Sequence, residues 1–368
     1  MAGATRPTSL PTNRAWLDRL LQAGSTAAIE QMAGELPIVS ENQYEWSRFD
    51  PQKGWRDGML HWVPVGRDRG NVGRIQLAGE PYNPIAERLV NGMEAIIEQA
   101  RQAELKVKPN AEPPGSPREA VERYFGLPRL DHIPLISDKD KRKKLDETLV
   151  ALRHRLTLKL ELDKKERGFT IEVADKGIGQ TPARMHETLL SLGQSDKADK
   201  PYMIGVFGQG GSSTYQASEV SVVISRRAPE LAKAGEDGIG WTFVKRIHPP
   251  ARRDPYFAYL AITPDGRVPE LPASAAPGDL YAHGVMFRHI DYDFGGAASR
   301  VTLALYPAMN HVLFNPVLPY NLYALKDKPD AMYGNAQRLT GRTTKLQKDG
   351  ARGFLDKSFQ PQTVGGAA

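Results

Sequence analysis

Glu87, Asn91 and Glu94 stand at i, i+4 and i+7 within YNPIAERLVNGMEAIIEQARQAEL. That spacing places them on one stripe of a helix. A carboxylate and an amide sharing a stripe can line a pocket, one for a water and one for a metal ion; the plainer reading is a solvated face with an incidental asparagine. Downstream, Asp175 follows the apolar run FTIEVA and opens the glycine turn Asp175-Lys176-Gly177-Ile178-Gly179. A second glycine-rich stretch, Gly205-Val206-Phe207-Gly208-Gln209-Gly210-Gly211, runs into Ser212 and Ser213. Glycine has no Cβ to keep backbone N–H groups away from an anion. An acidic residue at a strand end beside such a turn is a common seat for a nucleotide. The two familiar phosphate patterns are absent. No lysine follows Gly210 or Gly211, so GxxxxGK[ST] fails, and GxGxxG lacks its third glycine.

The elements that must hold these residues follow from periodicity. Ile85, Leu89, Met93, Ile96 and Ile97 repeat at helical spacing, with Asn83 as the expected N-cap and Pro84 in the tolerant first turn. Gly92 weakens that helix by about 1 kcal/mol relative to alanine and marks a close approach. Leu156, Leu158, Leu160 and Leu162 alternate, a charged turn follows, and Phe169, Ile171 and Val173 alternate again. A β-hairpin is expected there, with Asp175 at its end. Thr181 to Leu192 reads as a short helix whose Met185, Leu189, Leu190 and Leu192 belong to the core. Four further alternating runs, Glu219 to Arg226, Gly240 to Ile247, Tyr256 to Ile262 and His283 to Ile290, read as strands, and Ser299 to Phe314 as a helix interrupted by Pro307. The fold class expected is α+β: a two-layer sandwich of a mixed, mostly antiparallel sheet with helices on one face.

The organisation expected along the chain has three parts. Residues 1–58 form an N-terminal arm, with a helix from Asn13 to Met32 that Gly24-Ser25 can break; it either packs against the sheet's edge or crosses to a partner subunit. Residues 59–325 form the main domain. Within it, Met59 to Leu77 reads as a hairpin around Gly66-Arg67-Asp68-Arg69-Gly70, and about 106–147 reads as a proline-rich and charged insertion, either a surface loop or a contact site. Residues 326–368 form a basic, flexible tail.

Composition narrows the class. The chain has 368 residues, 40% hydrophobic and 25% charged, as expected of a soluble globular protein. It contains no cysteine, which excludes disulfides and thiolate zinc sites and suits a cytoplasmic setting. The first residues lack a continuous apolar h-region, and no apolar run reaches membrane-spanning length. A net charge of +6 permits contact with nucleic acid without requiring it.

Three ordered segments, ERLVNGMEA, DKGIG and GVFGQG, resemble the ExxxNxxDA, DxGxG and GxxGxG motifs of the gyrase, heat-shock chaperone, histidine kinase and MutL (GHKL) ATPase superfamily, with Glu94 standing where the pattern has Asp. The stretch LGQSDKADKPYMIGVFGQGG looks most like the lid of microrchidia (MORC) type ATPases and their bacterial relatives. The resemblance covers about residues 60–325. It implies the Bergerat nucleotide fold, with ATP and Mg²⁺ as ligands. It makes Glu87 the general base that polarises the attacking water, Asn91 the Mg²⁺ ligand, with Glu94 beside it in the nucleotide site, and Asp175 the acceptor for the adenine amino group. Gly177 and Gly179 would leave room for base and ribose. Gly205, Gly208, Gln209, Gly210, Gly211 and Ser212 would shape the lid over the phosphates, with Ser195 and Lys197 also placed to reach phosphate.

Phosphoryl transfer depends mainly on positioning and charge stabilisation, so this modest set is chemically sufficient. The resemblance further implies ATP-dependent homodimerisation or signalling to a partner protein, in a setting related to DNA or anti-phage defence. An ATP-sensing module with little turnover is the alternative. The sequence departs from the family in one place. The last sheet strand begins Gly284-Val285 where a Gly-Thr is usual, and valine cannot join an adenine hydrogen-bond network. Thr242 and Thr263 are the candidate substitutes. A histidine kinase is disfavoured, since His61 lies in a strand-like stretch and no upstream helix carries a histidine.

Overall fold

The structure, a computed structural model, describes residues 13–38, 60–75, 80–130, 132–133, 136–163, 168–192, 199–204, 212–249, 254–262, 266–276, 281–295, 301–313, 315–325 and 337–339. Among them the chain forms a large mixed sheet with helices, an α+β architecture. The strands are β1 (His61–Pro64), β2 (Leu156–Leu162), β3 (Phe169–Asp175), β4 (Val220–Arg226), β5 (Ile239–Ile247), β6 (Tyr256–Ala261), β7 (Glu270–Leu271), β8 (Gly284–Ile290), β9 (Tyr320–Ala324) and β10 (Gln337–Leu339). The sheet order is β1-β6-β5-β4-β8-β3-β2-β9-β10, with β7 paired to β5 off this path. Among the named strands of the described residues only β2 with β9 is parallel, and the isolated bridge between Ile38 and Leu60 is parallel as well.

The alternation in the sequence is what fixes the register at the centre. Leu156, Leu158 and Leu160 point into one core with Ile171 and Val173. In the β2–β3 pair Leu156 faces Asp175, and in the β3–β8 pair Asp175 faces Val285. Asp175 therefore ends a central strand with neighbours on both sides.

The helices are α1 (Asn13–Gln22), α2 (Thr26–Gly34), α3 (Asn83–Val107), α4 (Pro117–Phe125), α5 (Lys139–Arg153), α6 (Met185–Thr188), α7 (Ser213–Gln216) and α8 (Val301–Val312). The apolar stripe of α3, Ile85, Leu89, Met93, Ile96 and Ile97, packs onto β2 and β3 in a core shared with α4, α5 and α8. This is the helical layer expected from the sequence. The opposite face is not bare. Trp16, Leu17 and Leu20 of α1 with Ile29 and Met32 of α2 cover Val222 and Ile224 of β4, Trp241 and Phe243 of β5, and Met286 of β8. The N-terminal helices thus lie on a face of the sheet, not along its edge. They are pinned there by Arg288 of β8, whose Nε donates to Ala23 O at 2.9 Å and whose other nitrogens pair with Glu161 and Glu172.

Several local expectations change. The helix over Asn13 to Met32 breaks at Gly24-Ser25 as expected, and Ser25 Oγ caps α2 by accepting from Ala28 N. Asn83 is not the cap of α3. Tyr82 holds that position without a side-chain bond, and Asn83 is already helical. The hairpin expected over 59–77 is one strand, β1, followed by two 3-10 turns among the described residues, because Asn71 turns inward. Its Nδ2 donates to Val65 O and Phe257 O, and its Oδ1 accepts from Phe257 N. The insertion is no surface loop where it is described: α4 and the first half of α5 fill it, burying Ala120, Val121 and Leu145, and α5 runs on past it to bury Leu149 and Leu152. Of the helix expected over 181–192 only a 3-10 turn and α6 form. Residues 326–336 and 340–368 of the tail lie outside the described residues, and β10 within the tail pairs with β9.

Candidate functional site

Helix α3, the glycine turn after β3 and the segment before the second glycine stretch enclose a cavity of about 610 Å³. That is within the usual range for a small-molecule site, roughly 300–1,000 Å³. Asn91 and Glu94 of α3, Asp175 of β3, Gly179 and Ser212 all line it. The residues that periodicity placed on one helical stripe and the residue that alternation placed at a strand end therefore meet across one space.

The closeness of α3 to the sheet depends on two glycines. A Cβ on Gly92 would come within 2.5 Å of Leu156 Cδ1 and 3.3 Å of Asp175 Cβ, so a larger residue would push the helix off the aspartate. A Cβ on Gly177 would meet the Ala95 backbone at 2.5 Å, and Ile178 N donates to Ala95 O at 2.9 Å. Gly177 is therefore a packing contact between turn and helix and does not line the cavity. Gly179 does line it, with φ +60 and its Cβ direction blocked by Arg226 O. The space that glycine provides at both positions is taken by neighbouring backbone, where the sequence suggested room for a ligand.

Asp175 is the electrostatic centre of this wall. Its Oδ1 accepts from Gly177 N at 2.8 Å. Burial pushes its carboxyl up to about 7, against the pull of the Gly177 and Val285 backbone N–H groups and of the Arg155 guanidinium. Arg155 is held nearby by Gln99 Oε1 at 2.6 Å and Lys176 O at 2.8 Å. Val285, directly across the ladder, lines the cavity and offers no hydroxyl. Thr242 does not replace the missing threonine: it lies on β5 and donates to Leu260 O at 2.8 Å. Thr263 lies outside the described residues. Ser225 is the hydroxyl at this end, accepting from Gln180 N at 2.8 Å and donating to Gly284 O at 3.1 Å.

The far side of α3 anchors the segment that leads into the second glycine stretch. Glu94 Oε1 accepts from Ile204 N at 2.7 Å. One turn on, Glu98 accepts from Lys200 Nζ at 3.0 Å and from Tyr202 OH at 2.9 Å. Burial and the Glu98 carboxylate together raise the Tyr202 phenol well above its ordinary value, so it stays a donor. Glu94 thus serves the chain's own backbone while also lining the cavity.

Glu87 stands apart. It is exposed near the N-terminal end of α3 and does not line the cavity. Ser195, Lys197, Gly205, Gly208, Gln209, Gly210 and Gly211 lie outside the described residues. Among the lining residues that escaped the reading of the sequence are Arg88, Glu98 and Lys200, and Arg67, Arg184 and His186 near α6. Arg88 had a visible signal. It falls on the apolar stripe of α3, at i+3 from Ile85, where a charge is out of pattern.

Among the described residues no group of three or more His, Asp or Glu side chains is arranged to hold a metal ion, and no helix is long and apolar enough to cross a membrane. A magnesium ion in the cavity would thus depend on Asn91 and on oxygens brought by a ligand, as Mg²⁺ sites with phosphates commonly do. Set against known proteins, the chain matches no family model and no curated protein, so the chemistry of the cavity is argued from its own residues.

Proposed function

We propose that the cavity binds ATP with Mg²⁺, that turnover is slow, and that closure of the glycine-rich segment over the phosphates is signalled to a second copy or a partner protein. The observation that carries the reading is the convergence of Asn91, Glu94 and Asp175 on one cavity of about 610 Å³. Motif order, the mixed antiparallel sheet and the placement of α3 against β3 agree with the GHKL resemblance and with a Bergerat fold. In this reading the Asp175 carboxylate accepts from the base amino group, and the Asn91 amide oxygen holds Mg²⁺ against the phosphates. Bound Mg²⁺ supplies charge neutralisation at the phosphates. Glu87 would orient the water.

A second reading is an ATP sensor with little turnover. The exposed position of Glu87, outside the cavity wall, favours it. The basic surplus of the chain leaves nucleic acid open as a partner in either case.

Calorimetric titration with ATP and a non-hydrolysable analogue, with and without Mg²⁺, alongside phosphate release and a size measurement, tests both. The first reading expects binding, slow release of phosphate and a nucleotide-dependent change in size. Glu87→Ala should keep binding and lose release; Asn91→Ala should lose the gain in affinity that Mg²⁺ gives. Binding by the wild type without any release selects the sensor. No binding at millimolar ATP would sink both.

A further inference from the structure

Arg88 has no role in that scheme, yet its placement is demanding. It is 6% exposed. Its guanidinium carbon stands 3.7 Å from the Phe287 ring centre and 5.0 Å from that of Tyr215. Its Nε and Nη2 donate to Thr214 Oγ1 at 3.1 and 3.0 Å, and the Tyr215 phenol is a second neutral partner. No carboxylate pairs with it among the described residues, and burial lowers its pKa against the opposing effects of Tyr215, which also hydrogen-bonds it, and of Tyr292. A buried cation without a counter-ion is an expensive arrangement that cation–π contacts offset only in part. A guanidinium carries five N–H donors in a planar fork. The neutral hydroxyls of Thr214 and Tyr215 leave that fork without a charged partner, and Arg88 lines the cavity.

Charged groups on the cavity wall also include Arg67, Glu94, Glu98, Arg184, Glu187 and Lys200, and among them Asp175 and Arg88 are separate. The cation that acts on Asp175 is Arg155, not Arg88. Asp175 marks the β3 end of the cavity, and Arg88 stands beside Thr214 and Ser212, where the second glycine stretch rejoins the described chain. A ligand that fits offers hydrogen-bond donors at one end and a compact polyanion at the other.

We propose that Arg88, braced by Thr214, is the anion-recognising group of the cavity and makes it selective for di- and triphosphates through paired N–H···O contacts to phosphate oxygens. Arginine suits this over lysine because its fork matches two oxygens at once. The proposal rests on the nucleotide reading for the identity of the ligand, but not for the chemistry of the subsite, since a free polyphosphate would satisfy the same fork.

The test measures affinities of ATP, adenosine and inorganic pyrophosphate for the wild type, Arg88→Met and Arg88→Lys, with melting curves of each. The expected result is that Arg88→Met weakens ATP and pyrophosphate by about 30-fold or more while adenosine stays within about twofold. Arg88→Lys keeps the charge, loses the fork and should fall between, and it carries the comparison if the methionine variant does not fold. A merely structural arginine would lower the melting temperature and weaken ATP and adenosine alike, or leave both unchanged; either result overturns the proposal. Binding of pyrophosphate through Arg88 without binding of ATP or adenosine would retain the anion subsite and refute the nucleotide reading. Failure of the wild type to bind any of the three refutes both.

Discussion

Asp175 is the residue on which pH acts most directly. Its carboxyl is shifted from 3.8 up to about 7, because the low-dielectric wall disfavours the charged form more than two backbone N–H groups and Arg155 favour it. A raised acid has the reverse of the usual carboxylate effect on stability. The folded protein holds the proton that the unfolded chain releases near pH 4, so this group's contribution is full below that value and is lost as pH rises through about 7. The side chain opens on the cavity, where water moderates the effect to a few kcal/mol at most. Asp175→Asn keeps an acceptor for Gly177 N and removes the ionisation. The ligand-free variant should melt several degrees above the wild type at pH 8, with the gap narrowing by pH 5, and it should lose adenine binding. A gap that does not change with pH, followed by scanning calorimetry, would show that Asp175 is not the titrating group. Much of this residue's setting could be read in advance, since period-two alternation put it at a strand end. Glu87 could not be placed in the same way. Helical spacing fixes an angle around an axis but not where a cavity stops along it, and seven residues separate Glu87 from Glu94 by about 10 Å.

At the scale of elements, α3 does two jobs with opposite faces. One face seals the core against β2 and β3; another carries Glu94 and Glu98, which hold 200–204 by a backbone amide, an ammonium and a phenol. Glu98→Ala removes two of those anchors and leaves Lys200 and Tyr202 without their acceptor. Hydrogen exchange of the amides in 202–204 should speed up by about tenfold or more while the amides of β3 keep their protection, as expected of a local opening. Equal loosening in β3, read by mass spectrometry, would mean that Glu98 supports the whole fold. Strands were the readable elements because every second residue is apolar. Of helix α5 the sequence offered only the end, as a short helix over Thr148 to Arg155; its first half was hidden because it begins KDKRKK and buries only Leu145 there, within a mostly charged segment. The turns after β1 were hidden because a single buried asparagine, Asn71, sets their path through bonds to a strand more than 180 residues away.

For the whole molecule, the sheet has cover on both faces over β4, β5 and β8: the first helices of the chain lie on one, and Val65, Ile75, Met185, Leu190 and Tyr215 pack on Val223, Val244 and Phe287 on the other. The amphipathic pattern of α1 announced that it packs but not against what, since an apolar stripe carries no address. Trp16 is the centre of that contact, 1% exposed, with its ring centre 5.4 Å from that of Trp241. Trp16→Ala should cost about 3–5 kcal/mol, read as a lower denaturant midpoint. A loss under about 1 kcal/mol would mean that the N-terminal helices are dispensable to the fold.

The parallel pairing of β2 with β9 has a bearing on how this protein is made. Strand β2 gains its outer neighbour from Tyr320–Ala324, a segment synthesised long after its other neighbour, β3. On a ribosome, Leu156–Leu162 therefore waits through more than 150 further residues of synthesis with one row of amides and carbonyls uncapped, so the late arrival of β9 sets the interval during which two nascent copies can zip together at that border.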